Sequence, residues 1–218
     1  MHVSDAVRTR ISVRNFLPTP VANETITDLL ERSARAPSGG NVQPWRVYVL
    51  NGDAMARFLA HVQSRSEPET PAYAIYPDNL KEPYRSSRFK MGEDMYALLN
   101  IPRTDKPARL AHLSRNFRFF DAPAAFFCFV DKTMGPPQWS DLGMFLQTFM
   151  LLAEKAGLNT CPQEAWANKT ETVASFVQPP DELMLFCGMA IGHANPQASV
   201  NALVTDREPL ANWTTFID

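Results

Sequence analysis

The chain has 218 residues, of which 45% are apolar and 20% are charged, and its formal net charge is −2. A chain of this size and composition is typical of a single globular domain that folds without disulfides or a structural metal. Its near-neutral charge argues against a dedicated nucleic-acid-binding protein, and its apolar runs are too short to span a bilayer. We therefore expect one domain over residues 1–218.

The N-terminal part of the chain predicts helices that flank a polar loop and a strand. It contains, in order, a helix over residues 2–10, a helix from Asn23 or Glu24 to Pro37, a turn-rich loop over 37–43, a strand over Trp45–Leu50 and a helix over Asp53–Gln63. This order of elements places a polar loop directly before a strand.

Residues 64–110 are polar and carry six prolines. Long irregular segments inside compact domains are often functional lids. We expect this segment to be a partly helical cover over a site on the main body, with a short helix at Glu93–Leu99.

The second half of the chain predicts two buried strands and a long apolar helix between them. Ala124–Val130 is apolar on both alternating faces, as expected of a central strand covered on each side, and Leu183–Gly192 is similar. Ser140 can N-cap a helix that runs to about Ala156 and is apolar in nearly every direction. Because a chain of this size buries such a helix more easily when two subunits share it, we expect a layered fold and a homodimer.

Two arginines and a serine alternate near the N-terminus. Arg10 and Arg14 lie four residues apart with Ser12 between them. Guanidinium groups and a hydroxyl suit a phosphate, because all of them donate hydrogen bonds to its oxygens. The alternative is a solvated basic face of an N-terminal helix.

Two further segments are candidates for ligand contact. Residues 37–43 offer two glycines, which allow close backbone approach, and the amides of Asn41 and Gln43; the alternative is an ordinary polar turn. Residues 157–166 predict a turn whose backbone amides could bond a cofactor, or a plain connection. We do not expect Glu164 to be a general base, because no second carboxylate or histidine lies near it in the sequence.

Motifs for metal, nucleophilic or nucleotide-loop chemistry are not found. The four histidines are scattered without an HExxH pattern, and GxSxG, GxxxxGK[ST] and strand-linked GxGxxG motifs are missing. We expect no metal, and a reaction that takes its chemistry from a cofactor. The three cysteines, Cys128, Cys161 and Cys187, form no CxxC pair and are expected to be buried reduced thiols. Since the N-terminus also lacks the apolar core of a secretory signal, we expect a cytoplasmic protein.

Taken in order, several segments resemble the flavin-dependent nitroreductase family, in its nitrobenzoate-reductase-like branch. They are RxSxR, APSGGNVQPW, GLNTCPQEAW, CGMAIGHANP and the pair Asp206-Arg207. The resemblance covers nearly the whole chain. It implies an α+β fold with a central mixed β-sheet flanked by helices, and an intertwined homodimer with two FMN sites at the subunit interface.

Position by position, the resemblance gives these residues roles in FMN binding. Arg10, Ser12 and Arg207 would hold the phosphate, and Arg14 would lie near the N1/O2 edge of the flavin ring. The rest of the cofactor would be lined by the 37–43 loop, from the same or the partner subunit, and by the 157–166 segment. In the latter, the Glu164 backbone amide would face flavin N5. The lining residues are Pro37, Ser38, Gly39, Asn41, Gln43, Pro162, Gln163, Glu164 and Ala165.

The resemblance implies a ping-pong oxidoreductase that uses NADPH or NADH to reduce nitroaromatic compounds from nitro to hydroxylamine. The cofactor supplies the chemistry, so no catalytic side chain is expected. Two alternatives stay open: a reductase of quinones or other electron-poor acceptors on the same scaffold, and a flavin-binding or storage protein with little turnover.

The segment Tyr73–Arg109 resembles the longer cover of this branch, where it would border the acceptor pocket. The candidate side chains for that pocket are Tyr84, Arg88 and Trp166. The chain departs from the family pattern in two places. Ala165 stands where many members have Gly, and the family's mid-chain Asn/Lys pair has only approximate counterparts in Asn116 and Arg118.

Overall fold

The computed structural model describes residues 1–217, which form a four-stranded sheet surrounded by helices. The elements are α1 (Val3–Thr9), α2 (Asn23–Ser33), β1 (Arg46–Asn51), α3 (Asp53–Gln63), α4 (Tyr84–Leu98), α5 (Lys106–Ser114), β2 (Ala124–Asp131), α6 (Pro136–Lys155), β3 (Asn159–Gln163), α7 (Thr170–Val177) and β4 (Leu183–Gly192). Among these residues, none of the helices combines the length and apolarity needed to cross a membrane.

The sheet has the order β1-β2-β4-β3, and each pair of neighbours is antiparallel. It is therefore not the mixed sheet that we expected; the parallel pairing within residues 1–217 is an isolated bridge between Ser12 and Thr160. The apolar pattern of β2 carries no information on direction, because a central strand covered on both faces reads the same way in either arrangement.

The central strand β2 separates two apolar layers. Phe126, Cys128 and Val130 face a layer that contains α2 and α6, while Phe127 and Phe129 face the layer of α3 and α7. Side chains of a strand alternate between the two faces of a sheet, so an all-apolar strand serves both layers. The layered arrangement is confirmed, and all three cysteines are buried and unpaired.

Helix α6 begins earlier than predicted and is not buried all round within this chain. It starts at Pro136, a residue favoured in the first turn of a helix, rather than after Ser140. One face packs on the sheet, but Gly143, Met144 and Gln147 are exposed. The sequence pattern shows that α6 is apolar, but it does not show how far one subunit covers it.

The expected cover over 64–110 contains more helix than predicted. Helix α4 begins at Tyr84 instead of Glu93 and most of its first half is exposed, while Met95 packs with Val200 and Leu203 in a small apolar cluster. The stretch of chain before α4 packs elsewhere: the Glu69 side chain hydrogen-bonds to the start of α7.

The Glu69 carboxylate caps the N-terminus of α7 from a distant part of the chain. Its oxygens accept from the backbone N–H of Glu171 (2.7 Å) and Thr172 (3.0 Å) and from the Thr172 hydroxyl. Its side chain is only 5% exposed, and Lys169 lies 3.5 Å away. Burial raises the pKa of Glu69, but the bonds from Thr172 and Glu171 outweigh it, so the pKa lies below its ordinary value.

We expect Glu69→Gln to lower the free energy of unfolding by about 1–2 kcal/mol at pH 7, because charge-assisted capping bonds are lost. Since the folded-state pKa is depressed, this stabilisation is complete above the unfolded-state pKa and disappears as pH falls through the folded-state value. Thermal melts at pH 7 and pH 3 measure it, with Glu67→Gln, at an exposed position, as the control. A constant difference at both pH values would show that the carboxylate charge is not responsible.

Candidate functional site

The Arg10–Arg14 segment is extended and lies beside the start of β3. Ser12 forms the bridge to Thr160, and the backbone N–H of Val13 donates to the Thr160 carbonyl oxygen (3.0 Å). Val13 is fully buried. Because side chains alternate along an extended segment, the Ser12 side chain lies on the side opposite to Val13, and a bend begins at Arg14. The structure thus places these three predicted residues together beside the start of β3.

The guanidinium groups of Arg10 and Arg14 are uncompensated positive charges. In residues 1–217, no carboxylate lies within 4.0 Å of either, and Arg14 Nη1 donates only to the Ser12 carbonyl oxygen (3.1 Å). Burial raises the pKa of the Cys161 thiol to about 11, and Arg14 and Arg10 act in the opposite direction, so both charges lie near Cys161 on β3. Two such cations and a hydroxyl are suited to an anion.

The segment expected as a turn is a strand. β3 covers Asn159–Gln163 and pairs with β4, and a short 3-10 turn follows over Glu164–Asn168. Pro162 donates no backbone hydrogen bond, but β3 is an edge strand, where proline is tolerated. Proline and asparagine therefore mimic a turn signal at this position.

Because side chains alternate along β3, the residues predicted to contact the cofactor are not all on the exposed face. Pro162 and Glu164 are exposed, whereas Gln163 is 2% exposed and its amide Nε2 donates to the carbonyl oxygen (2.8 Å) and Oδ1 (3.2 Å) of Asn116. Asn116 thus holds the Gln163 side chain. Arg118 instead pairs with Asp121 at 2.7 Å.

Glu164 is a solitary acid at the end of β3. Partial burial raises its pKa. Within the described residues no cation pairs with Glu164. Its negative charge adds to the effect of burial in raising the pKa of the Tyr73 hydroxyl. That Glu164 does not act as a general base stays a prediction.

The 37–43 loop is built by its own backbone and by α6. Ser38 Oγ accepts from the Gln43 N–H (3.1 Å), and the Gly39 N–H donates to both carboxylate oxygens of Asp141 (3.3 Å each). Asn41 and Gln43 have φ values of 58° and 48°. Both are exposed, with their side chains toward solvent except for a bond from Gln43 Nε2 to the Asn41 carbonyl oxygen.

Helix α6 separates this loop from the arginine segment. At one end, Asp141 binds the loop through Gly39; at the other, Glu154 accepts a hydrogen bond from Thr9 Oγ1 (2.8 Å). At 1.5 Å per residue, these two positions lie roughly 20 Å apart along the helix. Within one chain, the loop and the arginines therefore belong to different places on the surface.

Two other predicted residues lie away from the arginine segment. Arg207 is exposed, its Nη1 donates to Thr205 and to the Asp206 carbonyl oxygen, and it lines a groove against α4. Arg88 is also exposed, and stacks on Tyr76 with its guanidinium carbon 4.1 Å from the ring centroid. Neither is in contact with Arg10 or Arg14 in the described chain.

Two side chains predicted to line the acceptor pocket, Trp166 and Tyr84, differ in their exposure. Trp166 is fully buried and packs against Phe117 and Phe119, so it belongs to the apolar core and not to a pocket wall. Trp166 lies within the short 3-10 turn, a position from which the sequence alone does not indicate burial. Tyr84 is 66% exposed at the start of α4 and stays a prediction for the pocket.

A model of the family described as Nitroreductase matches residues 7–193. The chain belongs to the nitroreductase family. It is 35% identical to a 4-nitrobenzoate reductase of Pseudomonas putida, with 97% of this chain and 93% of that protein aligned. It is also 35% identical to a nitrobenzene nitroreductase of Ectopseudomonas oleovorans, over 99% of this chain and 96% of that one.

Solved structures of other nitroreductases have the same fold. An FMN- and NADPH-dependent nitroreductase NfnB from Sphigopyxis sp. strain HMH superposes with a TM-score of 0.96 at 40% identity, covering 100% of both chains. The FMN-dependent NfnB of Mycobacterium smegmatis, solved with NADPH, gives 0.92 at 26% identity over 99% of this chain and 98% of that one. The α+β nitroreductase fold expected from the ordered motifs is confirmed.

Proposed function

We propose that the protein is an FMN-dependent oxidoreductase that uses NAD(P)H to reduce nitroaromatic compounds to hydroxylamines. The observation that carries the proposal is the pair of uncompensated guanidiniums, Arg10 and Arg14, placed with Ser12 beside the start of β3, where both charges act on Cys161. The relatives named as nitrobenzoate and nitrobenzene reductases, and the FMN- and NADPH-dependent neighbours, support it.

The residues present fit FMN. Arg10 and Ser12 offer donors for its phosphate, and Arg14, which no carboxylate neutralises in the described residues, offers a positive charge for the ring edge. When bound, FMN supplies the two-electron chemistry that couples oxidation of NAD(P)H to reduction of the nitro group. Glu164, exposed at the end of β3, would offer the cofactor its backbone N–H.

The FMN site is shared between two subunits of a homodimer. The loop residues Asn41 and Gln43 lie roughly 20 Å along α6 from the arginine segment, which is too far for one cofactor ring to contact both. The exposed α6 face at Gly143, Met144 and Gln147 is available for a second copy. The loop therefore comes from the partner subunit. We assign Arg207 to the phosphate of a site assembled in the dimer.

The segment 64–110 covers the acceptor side of this site and makes up part of the single domain of residues 1–218. Its exposed Tyr84 and Arg88 present an aromatic ring and a cation suited to an electron-poor aromatic acid. Three buried unpaired thiols suit the reducing cytoplasm.

We expect the purified protein to be yellow and to release about one FMN per chain on heating. Under anaerobic conditions NADPH should bleach the flavin absorbance, and 4-nitrobenzoate should restore it. Slow bleaching with full FMN content would favour a storage protein. A colourless chain that also fails to bind added FMN would rule out the proposal.

Arg14→Ala should make the flavin midpoint potential more negative, because the positive charge that favours the reduced anionic flavin is removed. A dye-coupled redox titration measures the shift. Arg8→Ala is the matched control, since Arg8 is an exposed α1 arginine that pairs with Asp5. Equal potentials for the two variants would show that Arg14 does not lie at the ring edge.

A further inference from the structure

The 37–43 loop is attached to helix α6 at two points, one polar and one aromatic. Both oxygens of the Asp141 carboxylate accept from the Gly39 N–H, at 3.3 Å each. Just after the loop, the Trp45 ring stacks on Phe145, with centroids 4.8 Å apart and an angle of 11° between the planes. Asp141 and Phe145 are four residues apart, so they lie on the same face of the helix. The loop is therefore held against one face of α6.

The backbone between these two attachments is strained. Asn41 and Gln43 have positive φ values, 58° and 48°, which residues with a side chain rarely adopt. A strained conformation persists where the surrounding structure holds it. Within the loop, the Asn41 N–H donates to the Ser38 carbonyl oxygen (2.9 Å) and the Gln43 N–H to Ser38 Oγ (3.1 Å). These bonds close the turn on itself, whereas the bond from Gly39 to Asp141 fixes it to the helix.

Asp141 is a costly group for a position that only supports the fold. It is 4% exposed, and in residues 1–217 no Lys, Arg or His nitrogen lies within 4.0 Å of it. Burial of a carboxylate without a cation costs free energy, and the Gly39 N–H is one donor shared between two oxygens. An apolar side chain would fill the same space without this cost, but it could not hold the loop through a hydrogen bond. Support of the fold alone therefore does not account for the carboxylate.

We propose that Asp141 is a positioning residue that holds Asn41 and Gln43 in place for FMN by fixing the Gly39 N–H. The proposal rests on the proposed FMN site and adds to it a residue that acts through the loop. A loop that is already in its bound conformation binds more tightly, because ordering it on binding costs free energy. An acceptor at position 141 thus raises the FMN affinity.

The test changes the acceptor at position 141 and the donor at position 39. Asp141→Asn keeps one accepting oxygen in a side chain of the same shape, and Asp141→Leu fills the space without an acceptor. Gly39→Pro removes the donor. The local backbone suits a proline, because Ser38 is extended (φ −146°, ψ 148°) and Gly39 begins a 3-10 turn.

FMN dissociation constants by fluorescence and melting temperatures of the apoproteins are measured for the three single variants and for Gly39→Pro combined with Asp141→Leu. Ser140→Ala is the matched control, since Ser140 is the exposed neighbour of Asp141 on the same helix. It should equal wild type in both measurements.

We expect Asp141→Leu to weaken FMN binding about tenfold, the size of one hydrogen bond, and Asp141→Asn to stay within about threefold of wild type. In the Gly39→Pro background, Asp141→Leu should cause less than about a twofold further loss, because the bond is already absent. The Asp141→Leu apoprotein should melt no lower than wild type, because a buried carboxylate without a cation is removed. If Gly39→Pro does not fold, the Asn and Leu pair still decides the matter.

The failures are distinguishable. Wild-type FMN affinity in Asp141→Leu would show that Asp141 serves the fold alone, and a loss of equal size in the Gly39→Pro background would show that it does not act through Gly39. Equal losses in the Asn and Leu variants would show that the accepting oxygen is not responsible. Each of these results overturns this inference alone, whereas a wild-type chain that binds no FMN would overturn the proposed function and this role with it.

Discussion

Mixed dimers of two defective subunits are expected to regain one FMN site. One subunit carries Arg10→Ala, and the other carries Asn41→Gly with Gln43→Gly. Glycine keeps the left-handed backbone of both loop positions (φ 58° and 48°) while removing the amides. If each site takes its arginine from one chain and its loop from the other, the mixed dimer has one intact site and one doubly altered site.

Each altered homodimer should bind FMN far more weakly than wild type. Loss of the Arg10 bonds alone weakens binding roughly 10- to 150-fold, from about 1.5–3 kcal/mol for a charge-assisted hydrogen bond. Differently tagged subunits allow the mixed dimer to be isolated and its flavin counted. Recovery of half the wild-type FMN content is the expected result. Weak binding equal to that of the altered homodimers would place the arginine and the loop in one chain and refute the shared site.

The apolar periodicity of the sequence predicted the main elements well. α3 begins and ends as predicted, at Asp53–Gln63, and the buried strands at Ala124–Val130 and Leu183–Gly192 are present with small changes at the ends. These segments owe their structure to local patterns, since each has one dominant period and clear breakers around it.

Elements that depend on tertiary pairing were predicted less well. β3 contains Pro162 and follows Gly157, which read locally as a turn, but pairing with β4 stabilises it as an edge strand. α4 starts nine residues before Glu93, at Tyr84, in a region whose polar composition gives little periodic signal. The direction of the strands is likewise a property of the sheet and not of any one strand.

The same distinction applies to the candidate site. Arg10, Ser12 and Arg14 lie within five residues of one another in the sequence, so one short segment beside β3 brings them together. The burial of Trp166 and the bond from Gln163 to Asn116 depend on residues nearly fifty positions away, which no local pattern reports.

Gly188→Ala is expected to be among the most destabilising single substitutions in the protein. A Cβ atom there would lie 2.4 Å from Cδ1 and 2.8 Å from Nε1 of Trp166, and 3.1 Å from Phe119. Both rings are fully buried, so they have no open space into which to move. Overpacking of this kind costs about 2–3 kcal/mol, or roughly 5–10 °C in melting temperature for a chain of this size.

Gly92→Ala provides the matched control, because nothing lies within 4 Å of a Cβ at that helical position. It should be neutral or stabilise by up to about 1 kcal/mol, since alanine favours a helix. Trp166 directly follows Ala165, and Gly188 pairs with Gln163, so displacing the indole moves the end of β3 as well. We therefore expect Gly188→Ala to weaken FMN retention together with stability. A normal melting temperature would mean that the Trp166 ring can shift, and that its packing does not hold the 3-10 turn that follows β3.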